Sequence, residues 1–417
     1  MVIAAQKKHI IVFAFITALC LLGDSMLYIV LPVHYQEAGL SSLWEVGIIL
    51  SVNRFIRLPL NPCIGWFYNF VSERTGVLVA VSLAALTTLS YGFLPDLVFW
   101  VLARCVWGVA WTLLRLGSLF CIFRLSTPDN RGHYTGLYNG LYRLGSLVGM
   151  FLGGLLADTV GIRTTAIVFS VATTLALVLV ISCIPGRNAE RQEEGPAGNG
   201  LLSGLSLAAK ERKIFLVVAA GGLMAFVFQG VVASTLSRLI AVHTGGGVAL
   251  LGYLIGSSTL AGCFQALRWG WEPWLAPVVG RMSDKPGGRH RMLLCSFAAG
   301  AGIFVLLATP LPLALWFTCL LVMQMVATTL TTVSDAAASD AAALAGGRVL
   351  LMGYALMVDV GAAFGPLAAY GINAFLGINA VYLFSAACFV LLLIIWQAYA
   401  VGASLFKPPP PHKDRPK

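Results

Sequence analysis

Nine charged side chains stand inside long apolar runs, and they have the most chemistry to offer in this sequence. Three are acids, Asp24, Glu272 and Asp359; six are arginines, Arg54, Arg57, Arg104, Arg115, Arg143 and Arg268. In surroundings that poor in water an acid can take up or release a proton, and a guanidinium can grip a carboxylate or phosphate through paired hydrogen bonds. A charge left alone there is costly, so each needs a partner, an anionic ligand or a water-filled space. Helical spacing groups several of them. Arg104, Gly108, Trp111 and Arg115 recur at i, i+4, i+7 and i+11, and Asn53, Arg57 and Asn61 at i, i+4 and i+8. Each set forms one continuous stripe on a helix, and polar stripes of this kind face the interior of a bundle.

Other chemistry lacks a basis. There is no HExxH, no nucleotide-binding glycine loop and no serine–histidine constellation, so neither hydrolysis nor ATP use is supported. Nine cysteines are scattered singly without CxxC or Cys/His pairing, which favours buried thiols over disulfides or a metal site. No metal and no cofactor is expected. All six histidines fall in loops, tails or helix ends, which speaks against a buried histidine relay.

The elements that carry these residues follow from composition. The chain has 417 residues, 59% hydrophobic and 11% charged, far less charge than a soluble domain carries. Runs of spanning length lie near 9–31, 44–70, 76–94, 97–124, 134–157 and 162–184, then near 213–237, 248–282, 292–309, 311–334, 349–372 and 376–403. That predicts twelve helices in a lipid bilayer. The first run follows "MVIAAQKKH" without a small-residue cleavage site and reads as a retained helix. The polar, Gly/Pro-rich stretch 187–212 divides the spans six and six, giving bundles over 1–186 and 213–404 and a Pro-rich tail over 405–417. Of 27 lysines and arginines, 19 fall on the termini and alternate loops, two (Arg163 and Arg238) on the opposite side, and six inside spans. The excess places both termini in the cytoplasm of a cell membrane. The net charge of +10 is thus a topology signal and not the mark of a nucleic-acid partner.

The loop after the eighth span reads "GRMSDKPGGRHR", and Gly280, Asp284, Lys285, Gly288, Arg289 and Arg291 resemble the signature loop of the major facilitator superfamily. The equivalent loop after the second span keeps Gly65 but has Asn69 and Phe70 at the acid and base positions. In the fifth span Gly136, Gly145, Gly149, Gly153 and Gly154 are similar to the glycine pattern of the superfamily's drug and metabolite antiporters, with Met150 in place of the usual proline. In the fourth, Arg104 and Gly108 match its buried-arginine motif, with Trp107 replacing the common glutamine. The resemblance implies an all-α membrane protein, twelve transmembrane helices in two pseudo-symmetric six-helix bundles. It further implies secondary transport, with protons as coupling ion and a single chain as the working unit. The plain reading of the glycines is close helix packing.

Aligning the halves on Gly65 with Gly280, and on Gly145 with Gly361, exposes a charge pattern. Arg57 matches Glu272, and Arg143 matches Asp359. In the superfamily fold the second span packs on the eleventh and the fifth on the eighth, so Arg57 would face Asp359 and Arg143 would face Glu272. Two such inter-half gates would form in one access state and break in the other; alternatively, each charge pairs within its own half, Glu272 with Arg268 one turn away.

Pairing three arginines with three acids leaves about three positive charges for an anionic or zwitterionic cargo. Asn53, Arg54, Arg104, Trp111 and Arg115 are the substrate-binding candidates, with Tyr28, Trp107 and Tyr142 as further aromatic surface. Arg104 alone also reads as a structural residue bonded to backbone carbonyls. Asp24 is the proton-coupling candidate or else half of a permanent pair with an arginine, and Gln229 takes the matching place in the seventh span. The predicted activity is proton-coupled export of a small carboxylate-bearing metabolite, siderophore- or metallophore-like chelators included. Multidrug efflux, uptake of an organic anion and flipping of an anionic lipid are the alternatives, followed by a non-transporting receptor.

Overall fold

The computed structural model describes residues 2–127, 130–184, 212–250, 253–344 and 347–400. Its elements are α1 (Val2–His34), α2 (Leu43–Phe67), α3 (Glu73–Ser90), α4 (Leu97–Leu125), α5 (Arg131–Cys183) and α6 (Arg212–Ala225). A π-helical turn (Phe226–Val232) and α7 (Ala233–Thr244) continue α6, and a hairpin of β1 (Gly247–Leu250) and β2 (Tyr253–Gly256) follows. The last helices are α8 (Ser257–Ser283), α9 (Gly288–Leu307), α10 (Leu313–Leu344), α11 (Gly347–Leu376) and α12 (Ile378–Ala400). Among the described residues, eight helical segments are long and apolar enough to cross a membrane. This is an all-α membrane fold. Helix dominates because a segment in lipid has to satisfy its own backbone hydrogen bonds. Polar caps set several starts: the Ser42 and Ser72 hydroxyls accept from the Glu45 and Thr75 amides, and the Asp96 carboxylate from those of Val98 and Phe99.

Three boundaries differ from the sequence reading, each for a local reason. The fifth and sixth spans are two helical segments running on from each other within α5 and parted at Gly161, φ 82°. A single left-handed glycine makes the bend that a loop was expected to make. The eighth span was expected from residue 248, but Gly247–Gly256 pairs with itself as the hairpin, Val248 opposite Ile255. Gly245 and Gly246, at φ 70° and 110°, have already ended α7, and the apolar run between Gly247 and Gly256 is too short to span. The tenth span was expected to stop at 334, yet α10 runs on through the alanine-rich stretch to Leu344. It thereby adds Asp335 and Asp340 to the acids carried on these helices.

The described residues pack as two compact units. The first gathers α1–α5 with Ala225–Trp269 and Asp359–Ile378, and the second holds the start of α6, Gly270–Val358 and α12 from Asn379. Their borders cut α8 and α11, so segments of the sequence's second half belong to the first unit. The expected linker up to residue 211 and the expected tail lie outside the described residues. In the first unit α1 lies against α5 with almost no spacing, because Gly145, Gly149 and Gly153 meet Ala18, Leu22 and Met26 in register. A methyl at Gly145 would overlap the Ala18 carbonyl. Gly136, by contrast, faces open space. Phe13, Leu21, Val77, Trp107, Leu114 and Val180 fill this unit's core; Phe297, Phe304, Tyr382 and Phe389 stack in the core of the second.

Candidate functional site

Two neighbouring groups of polar side chains occupy the interior of the first unit. The first centres on Asp24 of α1. Its Oδ1 accepts a hydrogen bond from Arg104 Nη1 at 2.6 Å and a longer one from Asn53 Nδ2 at 3.4 Å. Arg104 is fully buried; its Nε donates to the Ile49 carbonyl at 3.2 Å, and Nη1 also reaches the Tyr91 hydroxyl at 3.3 Å. Arg104 Nη2 and Asn53 Oδ1 are buried without a protein partner. The pocket thus holds one donor and one acceptor in excess. Asp24 is buried, with 12% of its side chain exposed.

The second group alternates arginines with aromatic rings. Arg54 Nε donates to the Tyr28 hydroxyl at 3.2 Å, and its guanidinium lies 5.9 Å from the centre of that ring. Arg57 Nε donates to the Asn53 carbonyl at 2.9 Å, and its guanidinium lies 5.5 Å from Trp111. Arg115 Nη1 donates to Asn139 Oδ1 at 3.0 Å and lies 5.8 Å from Tyr142, which meets Trp111 edge-on at 5.9 Å. All three arginines are half-buried. Among the described residues none of the three has a carboxylate at ion-pair distance; Asp359 acts on Arg54 and Arg57 only over a longer range. Ring faces attract guanidinium without cancelling its charge. The arrangement can hold an anion.

A sequence model of the Major Facilitator Superfamily matches residues 13–353. The chain belongs to that superfamily. It is 25% identical over 193 residues to the class H tetracycline resistance protein of Pasteurella multocida, 45% of this chain and 46% of that one. It is 26% identical over 160 residues to the efflux pump aflT of Aspergillus parasiticus, 38% of this chain and 31% of the pump. The matches thus cover less than half of each relative. Among solved structures, the nucleoside transporter NupG shares the fold at TM-score 0.74 and 14% identity, covering 94% of this chain and 98% of that one. A bacterial homologue of the human lysosomal transporter Spinster does so at TM-score 0.68 and 14% identity, covering 95% and 96%. This is a multi-pass membrane transporter of the superfamily, and efflux pumps are among its relatives.

The superfamily loop has its own geometry. Arg289 Nη2 pairs with Asp284 Oδ1 at 3.0 Å, while Nη1 pairs with Asp340 and donates to the Ala336 carbonyl at 2.7 Å. Gly280 accepts the Asp284 amide at 3.0 Å, and Lys285 is exposed. The first half carries a counterpart of opposite sign. Glu73, opening α3, pairs with Arg124 at the end of α4 at 2.7 Å, where Arg289 opens α9 and meets Asp340 near the end of α10. Burial lifts the Glu73 carboxyl above its ordinary range, and Arg124 opposes that only in part.

The gate candidates lie on α2, α5, α8 and α11. Arg57 bonds to Asn53 and not directly to Asp359, while Arg143 of the first unit lies 5.3 Å from Trp269. Glu272 falls in the second unit. Trp107, open in the sequence to either cargo surface or packing, is fully buried in the core. The sequence reading missed Tyr91 and Asn139, which hold Arg104 and Arg115, and Tyr354, whose hydroxyl donates to Asp335 at 2.8 Å. It also missed His34 and Asp158, 3.1 Å apart. Gln229 sits on the π-helical turn of the seventh span, half-buried.

Proposed function

We propose that this chain exports a small anionic or zwitterionic metabolite in exchange for protons, with carboxylate-bearing chelators of the siderophore or metallophore type as the leading class. One observation carries the reading: Arg54, Arg57 and Arg115 lean on aromatic rings and uncharged oxygens, with no carboxylate at ion-pair distance among the described residues. A cargo carboxylate supplies the countercharge, and the guanidinium fork gives it two hydrogen bonds. Trp111, Tyr28 and Tyr142 add flat apolar surface beside the charge. The efflux-pump relatives and the glycine pattern of α5 favour export. Asp24, buried and held by Arg104, is the group on which a proton and the pair compete. Arg57 with Asp359, and Arg143 with Glu272, serve as gates between the halves. The carrier sits in the cell membrane with twelve crossings and cytoplasmic termini, and works as a single chain.

Multidrug efflux is the second reading, favoured by the same aromatic rings and by the tetracycline-resistance relative. The full-length chain in proteoliposomes under an imposed pH gradient separates the two. Gradient-driven flux of a tricarboxylate chelator supports the anion reading; flux of a lipophilic cation with no flux of the chelator overturns it.

A further inference from the structure

At the end of the first unit where α1, α5, α7 and α8 meet, a polar cluster stands apart from both groups described above. His34, the last residue of α1, places Nε2 3.1 Å from Asp158 Oδ1 and Nδ1 3.1 Å from Glu37 Oε1. The other oxygen of Asp158 accepts both the backbone N–H and the hydroxyl of Thr259, each at 2.7 Å, and so caps the start of α8. The cluster is closely fitted: the His34 and Asp158 side chains are 14% and 11% exposed, and a methyl at Gly256 would overlap the Asp158 carboxylate. Nearby, Gly154 abuts the Ser258 carbonyl and Gly262 the Met150 carbonyl. Here first-half helices α1 and α5 seal against second-half α8.

The imidazole decides whether this seal is fully bonded. Each ring nitrogen faces a carboxylate oxygen, which only accepts hydrogen bonds. A neutral ring has one N–H and satisfies one of them; the imidazolium satisfies both. Asp158 from α5 and Glu37 from the segment after α1 are the ring's polar partners among the described residues. The face offered by α8 is uncharged, Ser258 and Thr259. The titratable groups of α7, Arg238 and His243, are not among the ring's partners. Losing the proton turns a ring lone pair against a carboxylate and leaves Asp158 with less countercharge beside α8.

We infer that His34 is a proton-binding site that latches this end of the carrier: protonated, it ties α1 to α5 while Asp158 ties α5 to α8, and deprotonated, it lets the seal open. A proton taken from the compartment facing this end would then close the carrier after cargo has left, giving pH a hold on alternating access that is separate from Asp24. The inference rests on membership of the superfamily and not on the identity of the cargo, so the two readings fail independently.

Electron paramagnetic distance measurements on the full-length chain in lipid nanodiscs test it. Spin labels go on Val160→Cys and Leu254→Cys, both exposed and on either side of the seal, in an otherwise cysteine-free background. At about pH 5.5 one short distance is expected; by about pH 8 the ratio of sealed to open molecules falls about ten-fold. His34→Gln, neutral at both values, loses that response, and Asp158→Asn weakens it. A wild-type distribution unchanged by pH overturns the inference without any variant. A His34→Gln protein that keeps the wild-type response overturns it as well.

Discussion

The Asp24 pocket and the arginine–aromatic group share α1, α2 and α4, yet they treat one kind of side chain in opposite ways. On α4, Arg104 is fully buried and commits its guanidinium to a carboxylate, a carbonyl and a phenol. Eleven residues on, Arg115 is half-buried and has an amide oxygen and a ring face. On α2, Asn53 points its amide to Asp24, whereas Arg54 and Arg57 point to Tyr28 and Trp111. The supply of acid makes the difference. Asp24 is the acid at the centre of these groups, and Arg104 takes it. Arg54, Arg57 and Arg115 have uncharged oxygens and ring faces in place of a carboxylate at ion-pair distance, which offset the cost of a half-buried charge only in part. Such a cost persists where a ligand offsets it, which is the ground for proposing the pocket as coupling machinery and the ring-stacked arginines as the place for cargo.

Removing Arg104 is the severest way to break this division. Arg104→Leu strands the Asp24 carboxylate, and a loss of about 3–5 kcal/mol is expected in denaturant unfolding. Adding Asp24→Asn should recover much of it, since a neutral amide tolerates the pocket far better than a lone charge. By itself, Asp24→Asn should leave the fold intact and bring gradient-driven flux down to the level seen without a gradient, while cargo exchange at equal pH continues. If gradient-driven flux survives, the coupling role of Asp24 is gone.

The ring-stacked arginines should behave in the reverse manner. Arg54→Gln and Arg115→Gln are each expected to weaken binding of a carboxylate cargo about ten-fold, ~1.4 kcal/mol, with unfolding changed by under about 0.5 kcal/mol. A variant that unfolds easily but binds normally would move that arginine to the structural side of the comparison. Arg57 bears on both sides, because Asp359 acts on it without touching it. Combining Arg57→Asp with Asp359→Arg should restore flux above either single change if the pair closes during the transport cycle; flux no better than the singles rules out the gate.

Much of this was legible in the sequence because charge in an apolar run is conspicuous. Asp24 and the six interior arginines stood out at once, and the glycines of α5 foretold close helix packing without naming α1 as the partner. Partners were harder to read. Asp24 lies 80 residues from Arg104, and the pairing depends on which faces of α1 and α4 meet. His34 and Asp158, 124 residues apart at helix ends, looked solvated because polar residues at ends usually are. Trp107 was open to cargo surface or to packing, and it packs in the core. Asp335 and Asp340 were misplaced because hydropathy stops before α10 does; alanine carries the helix on after the apolar run has ended.

The smallest expected effect sharpens the comparison by serving as its control. Glu73 and Arg124 form an ion pair as short as many buried ones, 2.7 Å, but Arg124 is 36% exposed. If burial is what makes the Asp24–Arg104 pair count, then Glu73→Gln should cost only about 0–1 kcal/mol, because water screens and replaces the lost partner. Exchanging the two, Glu73→Arg with Arg124→Glu, should return the protein to wild-type stability and flux, since Arg289 and Asp340 hold the mirrored place with that same inverted sign. A loss from Glu73→Gln as large as that from Arg104→Leu would show that pairing as such, and not burial, carries the energy. The distinction between the two groups of arginines would then have to rest on transport measurements alone.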